Sequence, residues 1–206
     1  MVRDKFGVVY ARVVCELQGA CCYDLEQNPP AKKSLAVSRM FGRPVESLEQ
    51  LKEAAANYAA RAGEKLREEN FAASLLTVYV ITSMFIKNAY YNSQTVEFQT
   101  PTTNTTELIS SAQLCVEKLY RKGCKFKKCG IVLNGLVQQD NIQQNLFDTR
   151  DRQKTKRLME VIDKINSSTA PGIFWAAEGI RQPWRVKFKK RSKHYTTDWN
   201  HLPEAV

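Results

Sequence analysis

The sequence predicts an α+β fold from three observations. β-branched and aromatic segments alternate with segments whose apolar residues recur at helical spacing. They follow the order β-α-β-β-α-β over residues 33–137, and capping or turn residues stand at the junctions. That order gives one four-stranded sheet with two helices on one face and the other face open to a ligand. Residues 1–32 precede the sheet; a Gln-rich linker at 138–150 leads to a small α+β C-terminal domain at 151–206.

"KKSLAVSRMFG" reads as a strand ended by Gly42, and Ser47 with Gln50 forms a capping box. Leu48, Leu51, Ala55, Tyr58, Ala62 and Leu66 then mark one face of a helix that runs to about Asn70. "SLLTVYVITSMF" has the composition of a central strand, and "QTVEFQT" alternates as a shorter one. Asn104 and Glu107 repeat the capping logic. Leu108, Ala112, Cys115 or Val116, and Leu119 give the second helix its apolar face, and Gly123 ends it. "KFKKCGIVLNGLV" is the fourth strand. Past the linker, Leu158, Val161 or Ile162, and Ile165 predict a short amphipathic helix, followed by a Pro171-Gly172 turn. "GIFWAAEGI" and "WRVKFKK" read as two further strands, and "HYTTDW" as the closing segment of a small core or a DNA or protein contact.

Composition excludes some classes. With 206 residues, 43% of them hydrophobic, the chain has enough to bury a core. The longest apolar-leaning stretch, "FAASLLTVYVITSMFI", contains Ser and Thr and falls short of the roughly 20 residues a membrane span needs. No signal peptide opens the sequence, so a cytoplasmic protein is expected. The six cysteines and two histidines match no common zinc spacing, which leaves reduced, mostly buried thiols and no metal or cofactor.

The net charge of +10 is segregated. Residues 1–120 carry 13 basic and 13 acidic side chains, whereas 121–206 carry 18 and 8. "RKGCKFKK" and "RQPWRVKFKKRSK" contain no acid, and Phe126, Trp184 and Phe188 interleave their cations. Lys and Arg neutralise phosphates while aromatic rings stack on bases, so nucleic acid is the expected partner. A basic RNA- or ribosome-binding protein fits the same charge. A thiol or metal enzyme built on Cys124 and Cys129 is a further alternative, which bound metal or a reactive low-pKa thiol would reveal.

Residues 33–137 resemble the little-finger domain of the Y-family translesion DNA polymerases. The likeness rests on "VSRMFGRPV", "ARAGEKLREEN", "ITSMF", "TPTTNTTEL" and "YRKGCKFKKCGIVLNGL", in that order. "LMEVIDKINSSTAPGIFWAAEGI" with "HYTTDWNHLPEAV" resembles the C-terminal domain of the UmuC branch, and residues 1–32 resemble the end of a thumb and its link. The resemblance implies DNA repair, translesion synthesis in the SOS response, and a nucleoid-associated protein. It also implies that the open sheet face lies along damaged primer-template DNA in the major groove. Ser38, Arg39, Arg43, Thr82, Ser83, Lys127 and Lys128 are the candidate phosphate contacts. Met40 stands where the family usually has a second serine. The palm, whose carboxylates hold Mg²⁺ in that family, has no counterpart here, and no paired acids close an apolar strand; the chain is expected to hold DNA rather than polymerise it.

The linker carries "QQNLF", an adjacent Leu146 and Phe147 within a polar run. It resembles the pentapeptide by which bacterial polymerases bind the sliding clamp. The resemblance casts Gln143 as a hydrogen-bonding residue and Leu146 and Phe147 as side chains buried in the clamp's pocket, with Gln144 in place of the usual Leu. A UmuD-like subunit and the recombinase filament are the further partners it implies.

Overall fold

The computed structural model describes residues 2–25, 27, 32–86, 88–143, 145, 148, 150–168, 172–187 and 192–202. The chain divides into two compact units, Met1–Lys32 and Lys33–Val206. In the first, α1 (Val2–Phe6) and α2 (Val8–Leu17) meet at Gly7, whose φ of +87° suits a residue without a side chain. Neither helix buries a residue. Arg12 donates to the Tyr23 hydroxyl at 2.7 Å and lies over that ring.

The second unit contains β1 (Ser34–Val45), α3 (Leu48–Glu68), β2 (Phe71–Thr82), β3 (Tyr91–Thr102), α4 (Thr105–Leu119) and β4 (Phe126–Gln138). All strand pairs are antiparallel and the sheet order is β1-β4-β2-β3. Val37, Leu76, Val78, Val80, Cys129, Ile131 and Leu133 are buried on one face, beneath both helices. Leu51, Ala55, Tyr58, Ala62 and Leu66 of α3 are buried as expected, as are Leu108, Ala112, Cys115, Val116 and Leu119 of α4. Each large apolar side chain so buried contributes about 1.5–3 kcal/mol. Small residues let the helices approach closely: a Cβ on Gly63 would sit 3.0 Å from Thr105 Oγ1 and 3.2 Å from Leu108 Cδ1.

Local signals act largely as read. Ser47 Oγ accepts from the Gln50 N–H, and Asn104 Oδ1 accepts from Thr106 N–H at 2.9 Å. Glu107 does not complete that second cap, because Arg150 and Arg152 take its carboxylate, Arg152 at 3.0 Å. β1 continues past Gly42 to Val45 through an irregularity after Met40; as an edge strand it tolerates Pro44. Of the six cysteines, all free, only Cys115 and Cys129 are buried; Cys15 and Cys21 are exposed, so the thiols are less buried than expected.

The C-terminal part departs most from expectation. Residues 172–180 and the described part of 184–190 form no strand; a 3-10 turn at Ala176–Glu178 and irregular chain take their place. The reason is packing. Trp184 is 2% exposed, edge-on to Phe41 (6.0 Å, 73°) and Tyr58 (5.9 Å, 80°), and its carbonyl accepts from the Gly42 N–H at 2.8 Å. The segment therefore completes the core beside α3 instead of building a sheet of its own. α5 (Arg152–Ser168) is likewise rotated: Met159 is buried while Leu158 and Val161 are 54% exposed. Its register is set by Asp163, which pairs bidentately with the largely buried Arg67 at 2.6 and 2.7 Å.

Candidate nucleic-acid interface

Directly opposed residues share a face, so the strand register writes out the open side of the sheet. One row is Ser38, Gly130, Tyr79 and Ser93; the next is Met40, Lys128, Ile81 and Tyr91. Away from these lie Ala36, Val132, Thr77 and Thr95, then Ser34, Asn134, Leu75 and Glu97. Except for Gly130, every residue of these rows is half-buried or exposed. Hydroxyls gather at the edges, with Ser34 and Ser38 on β1 and Ser93 and Thr95 on β3. Lys128 is the single cation of the rows and lies on the inner strand β4 at the β2–β3 hairpin end of the face, its Nζ 5.6 Å from the centre of the Tyr79 ring. That ring covers Gly130, where an added Cβ would come within 2.4 Å of it. Only glycine leaves room for the aromatic to lie flat on the sheet.

The expected site residues separate. Ser38 and Lys128 stand on the open face, and Arg43 and Lys127 are exposed where β1 and β4 lose regular pairing. Arg39 does not join them. It is opposite the buried Cys129, on the helix side, at the rim of a cavity of about 1240 Å³ between α3 and the C-terminal segment, with Asn57, Arg61 and Trp175. Thr82 is 2% exposed on the core side; its Oγ1 accepts from the Tyr90 N–H at 2.7 Å. Ser83 begins the β2–β3 connection, its hydroxyl accepting from the Phe85 N–H at 3.4 Å. The open face also carries Thr77, Tyr79, Tyr91, Ser93 and Thr95, which the sequence alone does not single out. Alternation in "LTVYVIT" separates Thr77 and Tyr79 from Val78 and Val80, but nothing in the sequence aligns them with Ser93 and Thr95.

In the linker, Gln143 is exposed just past a 3-10 turn at Gln139–Asn141; Leu146 and Phe147 lie outside the described residues. Asp148 serves structure: Arg152 donates to it at 2.6 Å and, with the Arg150 N–H, holds its carboxyl below the usual range. Among the described residues no group of three or more His, Cys, Asp or Glu is placed to hold a metal, and no helix is long and apolar enough to cross a membrane.

The profile of the impB/mucB/samB family C-terminal domain matches residues 32–146, every strand and both helices of this sheet. The chain belongs to that family. A domain of unknown function (DUF4113) matches residues 156–205, the part that supplies Trp184. Among impB/mucB/samB relatives, Protein UmuC of Salmonella typhimurium is 37% identical over 98% of this chain and 49% of its own length. Protein MucB of Escherichia coli is 35% identical over 100% and 49%. The chain thus spans about half the length of the curated relatives it matches. A solved complex of beta-clamp processivity factor and the little finger domain of PolIV is 15% identical, with a TM-score of 0.41, over 56% of this chain and 99% of that one. At that score the likeness adds nothing to the topology described above.

Proposed function

We propose that this chain is the DNA-holding, partner-recruiting portion of a Y-family translesion polymerase, and that the polymerising chemistry belongs to the half of the relatives that it does not span. One observation carries the reading: hydroxyls stand at both edges of an open sheet face whose single cation is Lys128, on an inner strand, and whose single acid is Glu97. Four strands at about 4.8 Å spacing measure about 14 Å across, close to the roughly 12 Å of the major groove. β1 and β3 then meet the two phosphate backbones, while Tyr79 and Lys128 lie over the groove. Such contacts position the protein without reading sequence.

The linker recruits the sliding clamp through Gln143, Leu146 and Phe147. Tethering on DNA makes a micromolar peptide effective. A UmuD-like subunit and the recombinase filament belong to the same proposal as further partners, with no surface assigned to them. The protein works in the cytoplasm, on the nucleoid.

The test has two arms. Duplexes of unrelated sequence should bind alike, and more weakly as salt rises from about 50 to about 200 mM; Arg43→Ala, which removes an exposed cation of edge strand β1, should flatten the log–log slope by about one. Salt-insensitive binding, or a preference for structured RNA, would overturn the DNA reading. In the other arm the chain should bind a bacterial sliding clamp saturably, and a Leu146→Ala/Phe147→Ala double variant should not. Equal binding by both would remove the clamp motif from the account.

A further inference from the structure

The connection between β2 and β3 is unusual in what it exposes. Hairpin tips are ordinarily built of Gly, Asn, Asp, Pro and Ser. Here Met84 is 73% exposed, Phe85 100% and Ile86 47%, and Met40 and Tyr91 at the adjoining end of the open face are 67% and 63% exposed. The base of the hairpin is nevertheless firmly held. Thr82 and Tyr90 exchange backbone and side-chain hydrogen bonds at 2.7–3.3 Å. The Tyr90 hydroxyl donates to Leu119 O at 3.0 Å, and its ring packs edge-on to Phe126 at 6.2 Å. A rigid stem thus presents a bare aromatic ring to solvent.

The charge around that stem is one-sided. β4 begins at Phe126, paired with Thr82, so Lys127 and Lys128 stand at the root of the hairpin. Arg121 lies over the Tyr90 ring at 5.6 Å. Lys125 follows in the same connection, and its partner Glu46, at 3.5 Å, is the acid it meets there. Cations at the root of a hairpin whose tip exposes an aromatic fit unpaired nucleotides: a base stacks on the Phe85 ring, and the adjoining phosphates meet Lys and Arg at the root.

We infer that the Met84–Ile86 tip, with Arg121, Lys127 and Lys128, is a binding site for single-stranded nucleic acid next to the duplex, Phe85 stacking on an unpaired base. The inference rests on the DNA-holding reading and adds a ligand to one end of the same face.

The test compares a blunt duplex with the same duplex carrying a single-stranded overhang, by fluorescence anisotropy, with 2-aminopurine placed in the overhang. The wild-type chain should prefer the overhang substrate and quench the aminopurine. Phe85→Ala should weaken overhang binding by about tenfold, to the level of the blunt duplex, and leave blunt-duplex affinity and thermal stability unchanged. Phe85→Trp should restore the preference. If the wild type binds both DNAs equally, or if Phe85→Ala keeps the preference, the stacking site is wrong while duplex holding stands. If neither DNA binds, both readings fall. Loss of sliding-clamp affinity with DNA binding intact would make the tip a protein contact and overturn the inference.

Discussion

Replacing Trp184 by alanine separates the C-terminal segment from the sheet it leans on. The indole buries about 200 Å² of mostly apolar surface, which at about 25 cal/mol per Å² is about 5 kcal/mol as an upper figure. Truncations of buried Trp or Phe cost about 3–5 kcal/mol in cores. No hydrogen bond is forfeited, because Trp184 Nε1 has no partner among the described residues. The Asn57–Glu178 hydrogen bond, the Gly42–Trp184 backbone bond and the partly buried Trp175 and Ala177 still tie the segment to the sheet unit, but none of them replaces the buried indole. Amide hydrogen exchange reads the outcome. The Gly42 N–H, which donates to Trp184 O, and the Arg185 N–H, which donates to Gln182 O at 3.1 Å, should exchange faster by about a hundredfold to a few thousandfold. Amides of β4 should keep their protection. Unchanged protection at Gly42 would refute the role of Trp184 in tying the segment to the sheet. An equal loss throughout β4 would also refute it, by making Trp184 part of one cooperative core.

Two other expectations follow from burial. Thr82→Val keeps shape but strands the Tyr90 N–H, so it should cost about 1–3 kcal/mol in urea unfolding while duplex affinity stays constant; a fall in affinity at unchanged stability would return Thr82 to the DNA contacts. Glu178 is 5% exposed, and its burial pushes the carboxyl above its ordinary 4.5 despite donation from Asn57 and the Trp175 N–H. The folded protein thus binds that proton more tightly than the unfolded chain does. This group therefore contributes stability below about pH 4.5 that is lost as pH rises through its folded pKa. Carboxyl NMR should place the midpoint above 4.5, and Asn57→Ala should raise it further; a midpoint at or below 4.5 would refute the burial argument.

Particular residues mark what the sequence by itself determined. The order of elements, the caps at Ser47 and Asn104, and the buried faces of α3 and α4 rest on interactions within a few residues, and these are visible in one dimension. The grouping of cations in 121–128 was equally plain. The resemblance to a polymerase little finger drew on the same local patterns.

Tertiary structure decided the rest. Arg39 and Thr82 were placed on the open face from their strands alone, yet a one-residue phase moves a side chain across the sheet, and only pairing with Cys129 and Phe126 fixes that phase. Leu158, Val161 and Ile165 satisfied a helical period. Even so, α5 turned its Asp163 inward, because a desolvated Arg67 needs a carboxylate more than the core needs another leucine. Trp184 read as part of a strand, and Phe41 and Tyr58, more than a hundred residues earlier, turned it into a plug. The hydroxyl edges of the sheet arise the same way, from β1 and β3 lying on opposite sides of β4 and β2. No local rule encodes that adjacency, because it is set by which surfaces must be buried together.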